Sequence, residues 1–211
     1  MGIIRYLDSE PILFFALLIC LVFSLCFHEY AHGIVAYYLG DNTAYNQGRL
    51  TLNPIAHLDP VGSLMILFIG IGYAKPVPVN PYNLSNPRID MIKVAAAGPI
   101  SNLLIAFVTI FILYLIVPSK NDILFLFLQI TIHINIALAI FNLIPIHPLD
   151  GGQIFGNFIS KYNPNIFRQL NEYGPKVLFG LILFGMFTGV SIIWIFIGPF
   201  VNIFLSYYLI K

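Results

Sequence analysis

The sequence predicts an all-α polytopic membrane protein with about five to six membrane segments, including one short re-entrant segment, and a small β-hairpin after the first helix. Hydrophobic residues make up 59% of the 211 residues, charged residues 9%, and the mean hydropathy is +0.88. Soluble domains carry about 25% charged residues. Long apolar runs recur along the chain, so the lipid bilayer is its expected surroundings. A net charge of +1 provides no basic field, so nucleic acid is not an expected partner.

The first apolar run, residues 11–39, exceeds the ~20 residues that a helix needs to cross the hydrocarbon core. Polar His28, Glu29 and His32 lie in its second half. Cys20 and Cys26 lie on the same run, where buried thiols are expected rather than a disulfide. This run therefore predicts a membrane helix with ionisable groups inside it.

The next segments are shorter and less regular. Around Gly48, the residues from Tyr45 to Leu52 suggest a short β-hairpin. The apolar run at 61–72 is too short to cross a membrane and suits a re-entrant segment. Prolines 76, 78 and 81 then favour extended backbone.

Two further apolar runs, 91–117 and 123–146, predict transmembrane helices joined by a tight turn at 118–122. Residues 151–175 are more polar and predict an interfacial helix and loop. Residues 177–210 predict two short spans that turn near Thr188 and Gly189, with one long kinked span as the alternative. Residues 1–211 are treated as one domain, with a core at about 14–152 and C-terminal membrane helices at about 175–210.

The first run carries the pattern His28-Glu29-x-x-His32. Residues four apart share one face of a helix, so both imidazoles can bind one zinc ion while Glu29 lies beside it. Without a metal, three polar groups in an apolar helix would be costly. A catalytic zinc site normally has three protein ligands and one open position.

The third ligand must come from elsewhere in the chain. Its candidates are the remaining acidic and histidine side chains: Asp8, Glu10, Asp41, His57, Asp59, Asp90, Asp122, His133, His147, Asp150 and Glu172. On the re-entrant topology, Asp150 returns to the side where the first helix ends, whereas Asp122 lies on the other side. Two prolines and two glycines flank Asp150, and broken backbone at membrane depth is tolerated mainly where it lines a cavity. Asp150 is therefore the preferred ligand, although an Asp-Gly pair is also typical of a turn.

Two motifs together, His28-Glu29-x-x-His32 and Asn142-x-x-Pro145-x-x-x-Leu149-Asp150-Gly151, resemble the site-2 protease family of intramembrane zinc metalloproteases. The stretch Ala97-Gly98-Pro99-x-x-Asn102 resembles the middle core helix of that family, so the resemblance covers about 14–152. The stretch from Gly48 to Pro60 resembles its compact bacterial members, and no stretch resembles a PDZ or cystathionine-synthase-type domain.

The resemblance implies a mechanism and a substrate class. It implies that His28, His32 and Asp150 bind Zn²⁺, that Glu29 is the general acid and base, and that Asn142 helps position the substrate. It also implies a single-span, membrane-tethered substrate protein and a multi-pass location in the cell membrane.

Four more residues are candidates for substrate binding. Asn102 is one by its Gly-Pro context, with interhelical hydrogen bonding as the alternative. His57 could line the cleft or reach the metal, or it could be a hydrogen-bonded loop residue. Leu50 and Leu52 lie on the predicted hairpin, whose edge could bind an unwound substrate by strand addition.

The basic residues predict an orientation. On the re-entrant topology, one side carries seven of them: Arg49, Lys75, Arg88, Lys93, Lys161, Arg168 and Lys176. Arg5 and Lys120 fall on the other side, so the positive-inside rule predicts an active site facing the cytoplasm. The alternative function is a metal transporter or metal-binding membrane protein, for which polar ligands in several spans would be expected.

Overall fold

The computed structural model describes residues 2–70, 72–120 and 122–209. Ile71, Asn121 and Ile210, which fall in the predicted short segment, turn and last helix, lie outside the described residues. Nine α-helices are found in the described part: α1 Tyr6–Ser9, α2 Pro11–Tyr38, α3 Thr43–Asn46, α4 Pro60–Phe68, α5 Pro87–Ile116, α6 Ile123–Asn142, α7 Asp150–Ile159, α8 Pro164–Thr188 and α9 Ile192–Leu209. Short 3₁₀ turns lie at Ile3–Arg5, Pro54–Ala56 and Pro81–Asn83.

Within the part of the chain that the structure describes, three helices are long and apolar enough to cross a membrane, namely α2 with 28 residues, α5 with 30 and α6 with 20. Helices α8 and α9 meet at a bend of 90°. Together they would make a fourth span if they form one broken crossing. The predicted all-α membrane protein is confirmed at this level. The prediction of five to six segments stays a prediction.

Helix α5 lies at the centre of the bundle and packs against α2, α6 and α7. Its N-terminus is capped by Asn86, whose side chain accepts from Ile89 N, and Pro87 occupies the first turn. Farther along, buried aliphatic side chains of α5, α6 and α9 form one core cluster: Ala106, Ile110, Ile132, Ile136, Ile193, Ile197 and Val201. This packing fixes the face that α5 presents to α2.

The predicted β-hairpin is wrong, because no strand occurs among the described residues. Residues 43–46 instead form a helical turn that ends at Gly48, whose φ is +66°. Gly48 N donates to Tyr45 O at 3.0 Å and Arg49 N donates to Ala44 O at 2.8 Å, which is the Schellman pattern. The glycine therefore ends a helix rather than joining two strands.

The segments after α3 follow the predicted order. Helix α4 has nine residues, is capped by the Asp59 side chain and is too short to cross a membrane. Its re-entrant path stays a prediction. Helix α8 continues through Pro175, where a loop was expected, and it ends at Gly189 with φ +73°. Both the two-span and the kinked-span interpretations fit this bend.

Candidate metal centre

The two histidines of α2 point their ring nitrogens at one place. Nε2 of His28 and Nε2 of His32 lie 3.1 Å apart. Asp150, the first residue of α7, brings its carboxylate to 3.2 Å from the first nitrogen and 3.4 Å from the second. All three side chains are buried, and their ligand atoms lie within 4.8 Å of one another. Helices α2 and α7 supply the three side chains of this buried cluster, and α5 covers it.

Hydrogen bonds on the far side of each ring set the tautomers. Nδ1 of His28 lies 2.6 Å from Asn102 Oδ1, and Nδ1 of His32 lies 2.7 Å from the carbonyl oxygen of Val94. Oxygen atoms of this kind only accept, so each Nδ1 carries the proton and donates it. Both Nε2 atoms consequently present lone pairs to the cluster, as metal-binding histidines do.

These residues fit a zinc ion. Two lone pairs and a carboxylate converge without a proton between them, which is repulsive unless a cation lies among them. Asp150 Oδ2 has no hydrogen-bond partner among the described residues, since Nε2 of His28 has no proton to give it. The 3.1–3.4 Å separations are near the roughly 3.3 Å between ligands that tetrahedral zinc with ~2.0 Å bonds requires.

Glycines allow the backbone to approach this cluster. A Cβ atom on Gly98 of α5 would lie 2.6 Å from Nε2 of His28. A Cβ on Gly151 would lie 2.6 Å from the carbonyl oxygen of Ile144, so α7 begins tightly against the turn that follows α6. The carboxylate of Asp150 also lies at the N-terminus of α7, where negative charge is favoured.

The carboxylate of Glu29 contacts the loop that precedes α5. Its Oε2 accepts a hydrogen bond of 2.8 Å from Val77 N. Pro76 and Pro78 flank this donor and have no N–H of their own. Arg49 donates from Nη2 to the carbonyl oxygens of Lys75 and Pro76, at 2.9 and 3.2 Å. The side chains of Glu29 and Arg49 thus hold residues 75–77 beside α2.

Comparison with known proteins agrees with this geometry. The model of peptidase family M50 matches residues 118–185. YwhC of Bacillus subtilis is 41% identical over 185 residues, which are 84% of each chain. This chain belongs to peptidase family M50. The resemblance to site-2 proteases is thereby confirmed.

Other relatives extend the comparison of this M50 peptidase. MJ0611 of Methanocaldococcus jannaschii is 28% identical over 185 residues, covering 88% of this chain and 87% of its own. Rip2 of Mycolicibacterium smegmatis is 28% identical over 152 residues, covering 70% and 57%. All three relatives are named as zinc metalloproteases. No solved structure matches the chain significantly. Family and metal-site geometry together make this chain a zinc metalloprotease.

The other predicted site residues are not among the three that form the cluster. Asn142 ends α6, and its Nδ2 donates to Leu138 O of the same helix at 3.0 Å. His57 is 2% exposed and contacts Thr51 O through Nε2 at 2.8 Å. Leu52 is exposed, whereas Leu50 packs near Gly33, one residue after His32. Their roles in substrate binding stay predictions.

Asn102 lies on the Nδ1 side of the His28 ring, away from the cluster, and is not at an open surface. It is fully buried, and its Nδ2 donates to Asn135 Oδ1 at 2.8 Å. Asn135 in turn donates to Ser24 Oγ at 2.8 Å, and Ser24 Oγ donates to Cys20 O at 2.6 Å. These are interhelical hydrogen bonds of the kind that the sequence offered as the alternative, and the bond to His28 positions its imidazole. The role of Asn102 in substrate binding stays a prediction.

Sequence reasoning missed Ser24 and Val77. The polar residues of α2, α5 and α6 were the available signal for Ser24, since polar groups within membrane helices usually bond to one another. Val77 donates through its backbone N–H, so the type of its side chain gave no sign of this contact. The one available signal was that Pro76 and Pro78 have no backbone N–H, which leaves Val77 as the only backbone donor of residues 76–78.

Proposed function

We propose that this M50 peptidase is an intramembrane endopeptidase that cuts peptide bonds in or near the transmembrane segments of single-span, membrane-anchored proteins. The observation that carries the proposal is the position of the cluster along α2. His28 is the 18th of 28 residues, so it lies ~15 Å from the C-terminal end of the helix. The site therefore sits within the length of a candidate span and not at its tip.

The chemistry follows from the residues in place. When bound, zinc supplies a Lewis acid that makes water nucleophilic near neutral pH and polarises a carbonyl group. His28, His32 and Asp150 would hold the ion through Nε2, Nε2 and a carboxylate oxygen. The carboxylate of Glu29 would accept the proton of the attacking water and deliver it to the leaving amine nitrogen as the C–N bond breaks.

Val77 orients this general base. Its N–H donates to Oε2 of Glu29, which fixes the carboxylate on the side of the loop at 73–80. A substrate helix hides its carbonyl oxygens in its own hydrogen bonds, so the cut segment must unwind before attack. The substrate would thus enter as extended chain beside residues 75–77.

We also propose that the site opens toward the cytoplasm. On the topology that the sequence predicts, the seven basic residues lie on the side where α2 ends, which is the side nearest the cluster. At the opposite end, Lys120 lies by Glu10 and the start of α2. The positive-inside rule favours the cytoplasm for the basic end.

Cleavage by two matched variants tests the role of Glu29. Zinc-loaded protein would be incubated with a panel of single-span segments, and Glu29→Gln would be compared with Glu172→Gln, a change at an exposed position of α8. We expect Glu29→Gln to lose 10²- to 10⁴-fold of activity, as roughly expected for a general base, while one zinc stays bound. Glu172→Gln should cleave normally. Undiminished cleavage by Glu29→Gln would refute the proposed mechanism.

No observation favours the transporter alternative. Among the described residues, one group of metal-ligating side chains is found, and it joins α2 to the start of α7. A transporter would be expected to carry ligands along several spans. Zinc uptake into proteoliposomes should therefore be absent.

A further inference from the structure

The peptide group between Pro76 and Val77 is hydrogen-bonded to a side chain at each end. At one end, Arg49 Nη2 donates to the carbonyl oxygen of Pro76 at 3.2 Å. At the other end, the N–H of Val77 donates to Oε2 of Glu29 at 2.8 Å. The carbonyl and the N–H of a trans peptide group point in opposite directions. The guanidinium and the carboxylate therefore lie on opposite sides of one planar unit.

Arg49 is well placed to hold this peptide group. Its own N–H donates to Ala44 O at 2.8 Å, directly after the positive-φ turn at Gly48, so its backbone is fixed. The same Nη2 atom also donates to the carbonyl oxygen of Lys75 at 2.9 Å. The guanidinium is always charged, and hydrogen bonds from a charged donor are stronger than neutral ones. Arg49 thus binds two successive carbonyl groups of the loop.

Other contacts fix the loop without fixing the orientation of this peptide group. Lys75 N donates to His57 O at 2.8 Å, one residue earlier in the loop. The buried Val77 side chain lies beside Gly33, where an added Cβ atom would be 3.1 Å from Cγ1 of the valine. Neither contact engages the carbonyl group of Pro76. The bond from the guanidinium therefore decides which way this peptide group faces.

We propose that Arg49 is a positioning residue for the general base, and that it acts on Glu29 through the peptide group between Pro76 and Val77. The inference rests on the proposed function, in which Glu29 takes the proton of the attacking water. A cation at the carbonyl oxygen polarises the peptide group and strengthens its N–H as a donor. It also opposes a rotation that would turn this oxygen toward the carboxylate, where two acceptors would repel each other. Oε2 is thereby held, and Oε1 would accept the proton of the water.

Hydrogen exchange tests this link without turnover. Pro76 and Pro78 have no N–H, so Val77 carries the one exchangeable backbone amide of residues 76–78. Its exchange would be followed by mass spectrometry on zinc-loaded protein in lipid nanodiscs. We expect Arg49→Met to speed up this exchange about tenfold, because the peptide group can then rotate away from Glu29.

A second arginine gives the matched control for this measurement. Arg88→Met removes the same type of side chain at an exposed position in the first turn of α5, and it should leave the exchange of Val77 unchanged. Exchange at the wild-type rate in Arg49→Met would overturn the inference.

Steady-state kinetics separate positioning from substrate binding and from metal binding. Arg49→Met should lower kcat roughly 10- to 100-fold, which is less than the full contribution of a general base, and change KM less than about threefold. One zinc ion should stay bound, and Arg88→Met should cleave like the wild type. A rise in KM alone, or a loss of zinc together with activity, would overturn the inference, since Arg49 would then support the substrate or the metal cluster instead.

Two further variants locate the effect. Both bonds from Arg49 come from one nitrogen atom, so the ammonium group of Arg49→Lys can replace it, and kcat should stay within about fivefold of the wild type. Val77→Pro removes the N–H itself. In that background Arg49→Met should lower kcat no further, because the group through which it acts is gone. Additive losses in the double variant would overturn the route through the peptide group.

The choice of substrate separates this inference from the proposed function. The kinetics would be measured on a single-span peptide in nanodiscs and on an unstructured soluble peptide. Cleavage of the soluble peptide alone would refute intramembrane cleavage, and a lowered kcat of Arg49→Met on that peptide would still support the role of Arg49. Cleavage of the membrane segment with equal kcat by the wild type and Arg49→Met would overturn the role of Arg49 and keep the proposed function.

Discussion

The lone pair that His28 offers a metal depends on residues that never touch the metal. Its Nδ1 donates a hydrogen bond to Asn102 Oδ1. Asn102 is in turn held by buried hydrogen bonds to Asn135, which donates to Ser24. Each of these side chains is hydrogen-bonded to the next, so removing one leaves a buried polar group unpaired at a cost of ~1–3 kcal/mol. The network therefore ties the packing of α2, α5 and α6 to the affinity for zinc.

Replacing Asn102 should weaken zinc binding. We expect Asn102→Ala to lower the zinc affinity roughly 10- to 100-fold, because His28 loses the acceptor that fixes its tautomer and ring orientation. A competition titration with a zinc chelator measures this. Asn142→Ala is the matched control, since the side chain of Asn142 donates to a carbonyl oxygen within α6, and this variant should bind zinc normally. Equal affinities in the two variants would contradict the role given to Asn102.

At this scale the sequence predicted the side chains that the structure brings together. A spacing of four residues places His28 and His32 on one face whatever the rest of the chain does. Asp150 followed from topology and from the broken backbone around it. The Val77 N–H could not be predicted, because its use depends on where the loop passes over Glu29.

The close approach of α5 to α2 depends on a missing side chain. Gly98 lies against both imidazoles, and the next residue, Pro99, is also buried. Small residues let membrane helices approach closely. The Gly98 position therefore sets how tightly α5 covers the metal cluster.

A methyl group at Gly98 should disrupt the centre. We expect Gly98→Ala to reduce zinc binding at least tenfold and to cost ~1–3 kcal/mol of stability, because a Cβ atom would meet His28 at 2.6 Å. Zinc stoichiometry and thermal unfolding measure the two effects. Gly180→Ala on α8, where a Cβ atom would meet nothing within 4 Å, should change neither. Normal zinc binding by Gly98→Ala would show that the helices can separate freely.

A buried carboxylate holds the loops that follow α2. Asp41 is 0% exposed and accepts hydrogen bonds from Asn80 N and Asn83 Nδ2, each at 2.7 Å, and from Thr43. Burial alone would raise the pKa of Asp41, but the hydrogen bonds from Thr43, Asn83 and Asn80 outweigh it and hold this pKa below its ordinary value. Its ionised form therefore stabilises the fold.

Stability should depend on pH through Asp41. Because the pKa is lower in the folded state, its contribution is present above the unfolded value of ~3.9 and is lost as pH falls through the lowered value. We expect the Tm of the metal-free protein to fall over this acidic range, and Asp41→Asn to remove part of that dependence. The exposed Asp8→Asn variant should keep it. A wild-type pH profile in Asp41→Asn would contradict the assignment.

Among the elements, long apolar helices were predictable and the hairpin was not. Apolar length alone located α2, α5 and α6 to within a few residues. Gly48 misled because a glycine with positive φ serves both hairpin turns and helix C-termini. The backbone hydrogen bonds to the carbonyl oxygens of Ala44 and Tyr45 make this turn a helix C-terminus rather than a hairpin, and the residue pattern did not reveal them.

The whole bundle has two unlike ends. Asp150 returns to the half of α2 that carries His28, and the turn between α5 and α6 lies at the start of α2. A connected chain with α2, α5 and α6 as spans places these two ends on opposite sides of the bilayer. Apolar composition predicted the membrane, but the packing of α5 between α2 and α7 required the tertiary structure.

Labelling of single cysteines should report the orientation. We expect Ser85→Cys, at the basic end, to react with an impermeant maleimide only after the cells are opened, and Lys120→Cys to react from outside intact cells. Both sites are exposed, whereas the native Cys20 and Cys26 are buried. A background without these cysteines gives the control. The reverse labelling pattern would refute the proposed orientation.

The central claim is that this zinc metalloprotease cuts within the membrane, and the position of the cut tests it most directly. Zinc-loaded protein and a single-span substrate would be reconstituted together in proteoliposomes, and the product masses would be measured. The account predicts a cut inside or at the edge of the apolar segment, with products absent when zinc is removed. Cuts confined to the soluble regions of the substrate, far from the apolar segment, would contradict it.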